Sequence, residues 1–287
     1  MRERLEPLIA ERAPWLFEGR LDTRLARALL VKVLCYEQSV RLGTLYETWD
    51  ADHIMKHIAG ILAQDVKVSG LENLPRQGPA LIVANHPTGI ADGVMLHHAI
   101  TRIRPDLFIF ANADILRLLP QFGKMIAPVE WREEKRSREK TRETIEYTRA
   151  AIEAGRLGVI FPSGRLAKRR WLGLHERPWM PSAAMIAKKY DLPIIPLHIS
   201  SRNSALFYIF DAIHPTLRDI TLFRELLNKD RQHYCLTIGE AISASTLPAK
   251  SEDGIALLRG AVLRLGNRQA PRVSISQYPQ VRSPTRL

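Results

Sequence analysis

The sequence predicts an α/β fold, a mostly parallel sheet flanked by helices, with a helical extension in front of it. Short apolar runs rich in Val, Ile and Leu recur at 80–84, 106–111, 157–161 and 192–199, with the length and composition of strands buried on both faces. Segments of helical apolar spacing lie between them, and strand–helix alternation of this kind builds a parallel sheet. Pro or Gly punctuates the ends of these runs, as turns require.

Residues 1–65 read as an N-terminal helical segment. Leu21, Leu25, Ala28, Leu29 and Lys32 fall at helical spacing, Val33, Leu34 and Val40 extend the stripe, and Ile54, Ile58, Ile61 and Leu62 form a second one. Such helices pack on a core or lie on a bilayer, and packing is the expectation here. His53 and His57 are four apart, a spacing metals use, but no Glu follows the first and no third ligand is in view. A solvated helix face is expected there.

The α/β unit is predicted over 66–267. Val66–Gly70 is a short alternating strand. Ala80-Leu81-Ile82-Val83-Ala84 then runs into Asn85-His86-Pro87, which cannot continue a strand, and a Gly-flanked turn leads into a helix from Val94. A buried strand that stops abruptly presents His86 at its carboxyl end, where open α/β sheets place their sites. Asp92 lies six positions on; a continuous helix would turn the two side chains apart by about 600°, so they meet only if Pro87-Thr88-Gly89 bends the chain. Imidazole can take a proton from a hydroxyl, and a carboxylate on its other nitrogen fixes the tautomer and stabilises the imidazolium. The competing reading is a capping histidine and an Asp at a helix start.

Further along, 122–132 holds a Gly-marked turn and a short strand ending in Glu130 and Arg132; 133–154 is a charged helix closed by Gly155. The strand 157–161 leads to Pro162-Ser163-Gly164-Arg165, and Arg165, Lys168, Arg169 and Arg170 place four cations within six residues. At a strand's carboxyl end such a run can hold a phosphate with Arg forks and backbone N–H groups. A short helix at 181–189, the Pro-bracketed strand 192–199, a looser apolar segment at 206–213, a strand at 235–242 and a helix at 251–265 complete the unit. The tail 268–287, with four Arg and no acid, is predicted disordered.

The charge is unevenly spread. The chain is +12 overall; residues 1–65 carry 9 basic and 10 acidic residues, whereas 66–267 carry 29 against 20. A positive field over the α/β unit suits phosphate-bearing ligands, an anionic membrane surface or nucleic acid. No apolar stretch reaches spanning length, and with no apolar segment behind the opening Met-Arg-Glu-Arg-Leu-Glu a secretory signal is not expected. Cys35 and Cys235 have no metal spacing and are expected reduced. No Gly-x-Ser-x-Gly elbow is present, so the His–Asp pair would act on a hydroxyl of the substrate itself.

Four blocks in order resemble the glycerolphosphate and lysophosphatidic acid acyltransferase superfamily. Asn85-His86 to Asp92 is similar to its Asn-His-x4-Asp motif but one residue longer, resembling the hemolysin-like Asn-His-Pro branch. Pro128-Val129-Glu130-Trp131-Arg132 resembles the second motif, Phe161-Pro162-Ser163-Gly164-Arg165 the third (Phe-Pro-Glu-Gly-Thr-Arg), and Pro193-Ile194-Ile195-Pro196-Leu197 the fourth. Pro181–Ala187 and Thr237–Ile242 resemble the helix before the fourth motif and the family's terminal Gly-Glu-Pro-Ile strand, so the likeness covers 66–245. Ser163 stands where the family has Glu, which removes a carboxylate associated with acceptor binding.

The resemblance implies acyl transfer from acyl-CoA or acyl-carrier protein to a hydroxyl of a lysophospholipid or glycerol phosphate. His86 would be the base, Asp92 its orienting partner, Asn85 and Gly164 oxyanion donors. Arg132, Arg165, Lys168, Arg169 and Arg170 would bind the acceptor's phosphate. No metal or bound cofactor is expected, nor nucleic acid as a partner; the chain is expected in the cytoplasm, peripheral on the inner membrane face. A thioesterase or lipase, a transferase for a non-phosphate lysolipid such as an amino-acid lipid, and a non-enzymatic basic module are the alternatives.

Overall fold

The computed structural model describes residues 1–19, 21–33, 35–62, 66–130, 132, 135–171, 173–227, 233–267 and 273–274. Four helices open the chain: α1 (Arg2–Arg12), α2 (Leu21–Val33), α3 (Tyr36–Tyr46) and α4 (Ala51–Leu62). The strands are β1 (Val66–Ser69), β2 (Ala80–Ala84), β3 (Phe108–Asn112), β4 (Ile126–Val129), β5 (Leu157–Ile160), the hairpin β6 (Lys168–Arg170) and β7 (Gly173–His175), β8 (Ile194–Ser200), β9 (Tyr234–Ile238) and β10 (Val273–Ser274). The remaining helices are α5 (Ile90–Ile100), α6 (Asp114–Leu118), α7 (Arg138–Glu153), α8 (Ser182–Lys189), α9 (Ala205–Ile213), α10 (Pro215–Leu227) and α11 (Ser251–Leu265).

Among the described residues, eight strands form one sheet in the order β10-β1-β9-β8-β2-β5-β3-β4. β8, β2, β5, β3 and β4 run parallel, as the alternation of elements predicts. β9 is antiparallel to β8, because α9 and α10 leave the sheet and return to the same end, so the chain re-enters running backwards. β2 is central and buried along its whole length. Ile82 and Ala84 face one layer, Leu81 and Val83 the other, which is why the strand reads as an unbroken apolar run.

The first layer joins β2 to α5 and to Leu5, Leu8, Val40, Ile54 and Leu62 of the leading helices. The N-terminal helices therefore share the core of the α/β unit. The second layer is built by α7, α8 and α11, through residues such as Ala151, Ala184 and Leu258. His53 stacks on Trp49 with centroids 4.1 Å apart, and His57 Nδ1 lies 2.9 Å from Tyr46 Oη, so both belong to an aromatic cluster at the helix surface.

Two readings change. The apolar segment after 200 is helix α9, started by Ser204, whose Oγ accepts from Phe207 N. The cation run is the first strand of the β6–β7 hairpin, where cross-strand pairing rather than an apolar pattern defines the element. In the tail, Val273–Ser274 pairs with β1; 268–272 and 275–287 lie outside the described residues.

Candidate active site

At the carboxyl end of β2 the backbone is fastened residue by residue. Asn85 turns inward: its Nδ2 donates to Ile199 O at 2.9 Å and its Oδ1 accepts from Ile199 N at 2.7 Å. The side-chain amide thus extends the sheet after the strand has stopped. His86 follows, with its N donating to Glu176 Oε1 at 3.2 Å and its O accepting from Ala167 N at 2.9 Å. Its ring lies against Phe161, centroids 4.3 Å apart. Gly89, at φ +91°, turns the chain into α5, a conformation that costs little only without a Cβ.

That turn brings Asp92 back to His86. Asp92 is fully buried, and its Oδ2 lies 2.9 Å from His86 Nδ1. The approach is oblique, so Nδ1 makes no aligned hydrogen bond in this conformation; such contacts in empty sites commonly tighten when substrate binds. The same carboxylate accepts from Thr88 N at 2.8 Å, Gly89 N at 3.0 Å and Thr88 Oγ1. Capping and pairing with histidine are therefore not alternatives: Asp92 sits in the first turn of α5 and does both. Thr88 Oγ1 is also bonded to Tyr234 Oη, and burial holds the Tyr234 phenol well above its ordinary range.

Glu176, Thr88, Tyr234 and Phe161 complete the surroundings, and sequence reasoning did not single out any of the first three. Thr88 lies inside the motif, four residues before Asp92, a spacing at which it could have been found. Glu176 carries no such signal, since it acts on a backbone 90 residues away. Burial pushes its carboxyl up, against the hydrogen bonds from Trp179 Nε1 and His86 N.

The other predicted residues divide. The Gly164 N–H donates to Phe161 O at 2.9 Å, closing a turn with φ +56° at Gly164. With Asn85 bound to β8, both expected oxyanion donors are already engaged. Ser163 is buried and its Oγ donates to Arg165 O at 2.7 Å, shaping the loop that carries the exposed Arg165. Lys168 and Arg169 are exposed on β6; Arg169 lies over the Tyr208 ring at 5.1 Å. The Arg170 side chain lies outside the described residues.

Arg132 is not brought to His86. It follows β4, three strand spacings from β2, or about 14 Å. Its guanidinium meets Glu130 at 2.9 Å, Asp114 at 3.3 Å and Glu11 at 3.7 Å. Glu130 is raised by burial but drawn further down, to about 2, by Arg132 and Lys140; Arg117 and Lys135 bring Glu11 to about 2. A cation so matched by carboxylates has little left to offer a phosphate. Its role here is to tie α1 to the sheet edge.

Among the described residues no His, Cys, Asp and Glu group has the arrangement of a metal site, and no helix is long and apolar enough to cross a membrane. What the arrangement at β2 provides is a half-buried imidazole whose Nδ1 faces a carboxylate, leaving Nε2 as the nitrogen available to a substrate hydroxyl.

Residues 65–200 match the model of the family described as Acyltransferase. The lyso-glycine lipid O-acyltransferase of Phocaeicola vulgatus is 25% identical over 187 residues, covering 63% of this chain and 65% of that protein. The protein of the same name from Bacteroides thetaiotaomicron is 24% identical over 143 residues, 50% of this chain and 51% of its own length. The chain thus spans from half to just under two thirds of these relatives. The crystal structure of the 1-acyl-sn-glycerophosphate acyltransferase of Thermotoga maritima aligns over 94% of this chain and 100% of its own, with 14% identity and a TM-score of 0.47.

Proposed function

The chain belongs, through residues 65–200, to the glycerolphosphate and lysophosphatidic acid acyltransferase superfamily, and we propose that it moves a fatty acyl group from a thioester donor to the hydroxyl of a lysolipid. The observation that carries this is the contact of His86 Nδ1 with the buried Asp92 at the end of the central strand. His86 Nε2 takes the proton of the acceptor hydroxyl as its oxygen attacks the thioester carbonyl. Asp92 fixes the ring and stabilises the imidazolium. The tetrahedral intermediate collapses, the C–S bond breaks, and the leaving thiolate takes the proton from His86. A positioned base of this kind contributes about 10²–10⁴-fold.

The donor is acyl-CoA or acyl-carrier protein, with phosphates suited to the basic α/β unit. For the acceptor, two observations favour a lysolipid of the amino-acid type over a phosphate-headed one: Arg132 is matched by carboxylates, and the relatives named above act on a lyso-glycine lipid. Attachment to an anionic membrane surface is peripheral. It is supported by Trp171, 97% exposed at the tip of the β6–β7 hairpin beside Lys168 and Arg169, as interfacial aromatics with basic neighbours are arranged.

The test is an acceptor panel with purified protein and labelled acyl-CoA, comparing an O-deacylated glycine lipid, lysophosphatidic acid and monoacylglycerol. The expected result is ester formation, highest kcat/KM for the glycine lipid. Preference for lysophosphatidic acid would reverse the acceptor assignment, and absence of ester with every acceptor would end the transferase reading.

A further inference from the structure

A second feature adjoins His86. A cavity of about 330 Å³ is lined by Lys168, His175, Glu176, Arg177, Pro178 and Arg259. It is tied to the catalytic histidine on both sides. Lys168 follows Ala167, whose N–H donates to His86 O, and Glu176 accepts from His86 N. Arg259 reaches it from α11, which packs under the sheet through Ile255, Leu258 and Val262, so its backbone is rigidly placed.

The charges in this cavity are not balanced from within. The Nε atoms of Arg177 and Arg259 are shielded from solvent and neither has a hydrogen-bond partner among the described residues. The carboxylate present, Glu176, is directed elsewhere, to His86 N and to Trp179 Nε1 at 3.3 Å. Buried guanidinium donors without partners are uncommon, because each forfeits its hydration. Arg177 and Arg259 both line this cavity with Lys168 beside them, and three cations against the single carboxylate of Glu176 make a receptor for an oxyanion.

We infer that the cavity lined by Arg177, Arg259 and Lys168 is the subsite for the acidic head group of the lysolipid acceptor, carboxylate or phosphate. This rests on the acyltransferase reading of His86. The choice of acceptor over donor follows from distance along the molecule. The cavity's walls are bonded to the backbone of His86, which puts it at the strand end that carries the reacting groups. The nucleotide phosphates of CoA lie at the far end of the pantetheine arm from the thioester. Arg132, Arg165 and the third-motif Ser163 take no part in this subsite.

The experiment uses the full chain and the variants Arg177→Gln, Arg259→Gln and the double, with an O-deacylated glycine lipid, lysophosphatidic acid and uncharged monoacylglycerol as acceptors. The double variant is expected to raise KM for the acidic acceptors about tenfold or more, the loss of at least one charge-assisted hydrogen bond, with KM for monoacylglycerol and acyl-CoA within about twofold. Whichever acidic acceptor loses more identifies the head group read. Unchanged KM for both, an equal rise for monoacylglycerol, or a rise confined to acyl-CoA overturns the assignment. Arg259→Lys, expected to recover part of the affinity, stands in if the double variant does not fold. Thermal unfolding with N-acetylglycine and glycerol 3-phosphate separates this from the acyltransferase reading. Should the wild type transfer to no acceptor, a midpoint raised by either probe in wild type but not in the double variant still supports the subsite, and identical responses refute it.

Discussion

At the end of β2, Asp92 is fully buried and takes its hydrogen bonds from uncharged donors, Thr88 N, Thr88 Oγ1 and Gly89 N. At the end of β4, Glu130 and Asp114 are almost as sheltered, but their partners are the charged groups of Arg132, Arg12 and Lys140. The second cluster closes on itself. The first leaves a carboxylate matched by no full positive charge among the described residues, and the group it faces is an imidazole with one nitrogen to spare. Both lie at carboxyl ends of parallel strands in one sheet, so position alone does not make a site. What separates them is whether the charges are satisfied within the protein.

Substitutions should separate the two ends. The largest effect is expected for His86→Ala, which should lower kcat by about 10²–10⁴-fold without changing the unfolding midpoint appreciably; retention of more than a tenth of the rate would remove the general base from this histidine. Asp92→Asn should lower kcat as well, and also cost about 1–3 kcal/mol of stability, since an amide NH₂ can be left facing the Thr88 and Gly89 N–H groups. Urea unfolding measured alongside turnover tests this, because loss of rate with unchanged stability would mean that Asp92 does not cap α5.

Arg132→Gln should do the reverse. It leaves Glu130 and Asp114 short of a partner, at a cost of about 3 kcal/mol, while kcat measured below the unfolding transition stays within about twofold. Its pH signature follows from Glu130, which Arg132 helps to depress in the folded protein from 4.5 to about 2. Groups depressed on folding contribute stability that is full above about pH 4.5 and lost as pH falls toward 2. The wild type should therefore lose stability across that window more steeply than Arg132→Gln, in which Glu130 titrates nearer its ordinary value. Matching slopes would show that Arg132 is not what holds Glu130 down. The smallest effect is expected from Trp171→Ala, which should weaken binding to anionic vesicles a few-fold with no change in stability, as the side chain touches little in the fold. Lys168→Gln and Arg169→Gln should each cost about 1 kcal/mol of vesicle binding and reduce its salt dependence.

The β2 end was legible in the sequence because its constraints are local. An apolar run, a strand-stopping Asn85-His86-Pro87 and a Gly89 turn lie within ten residues, and they determine both the strand end and the return of Asp92. The β4 end was misjudged for the opposite reason. Arg132 follows a strand as His86 does, and nothing nearby announces that Glu11, from the first helix, will meet it. Gly164 marked a real turn, but which N–H the turn uses depends on the fold of the loop. The β6–β7 hairpin hid behind its charges, and α9 read only as a looser apolar segment because its start depends on the single Ser204 cap. Glu176 and Arg259 converge on one cavity from 83 positions apart, a relation that only the packing of α11 under the sheet creates.

The proposed activity depends on whether an acyl group at the His86–Asp92 end passes to a lipid hydroxyl or to water. Single-turnover product analysis with labelled acyl-CoA decides it, with and without an O-deacylated glycine lipid. The expected result is label in the acylated lipid when the acceptor is present and intact acyl-CoA when it is absent. Free fatty acid released at the same rate in both reactions would contradict the account and make the protein a thioesterase.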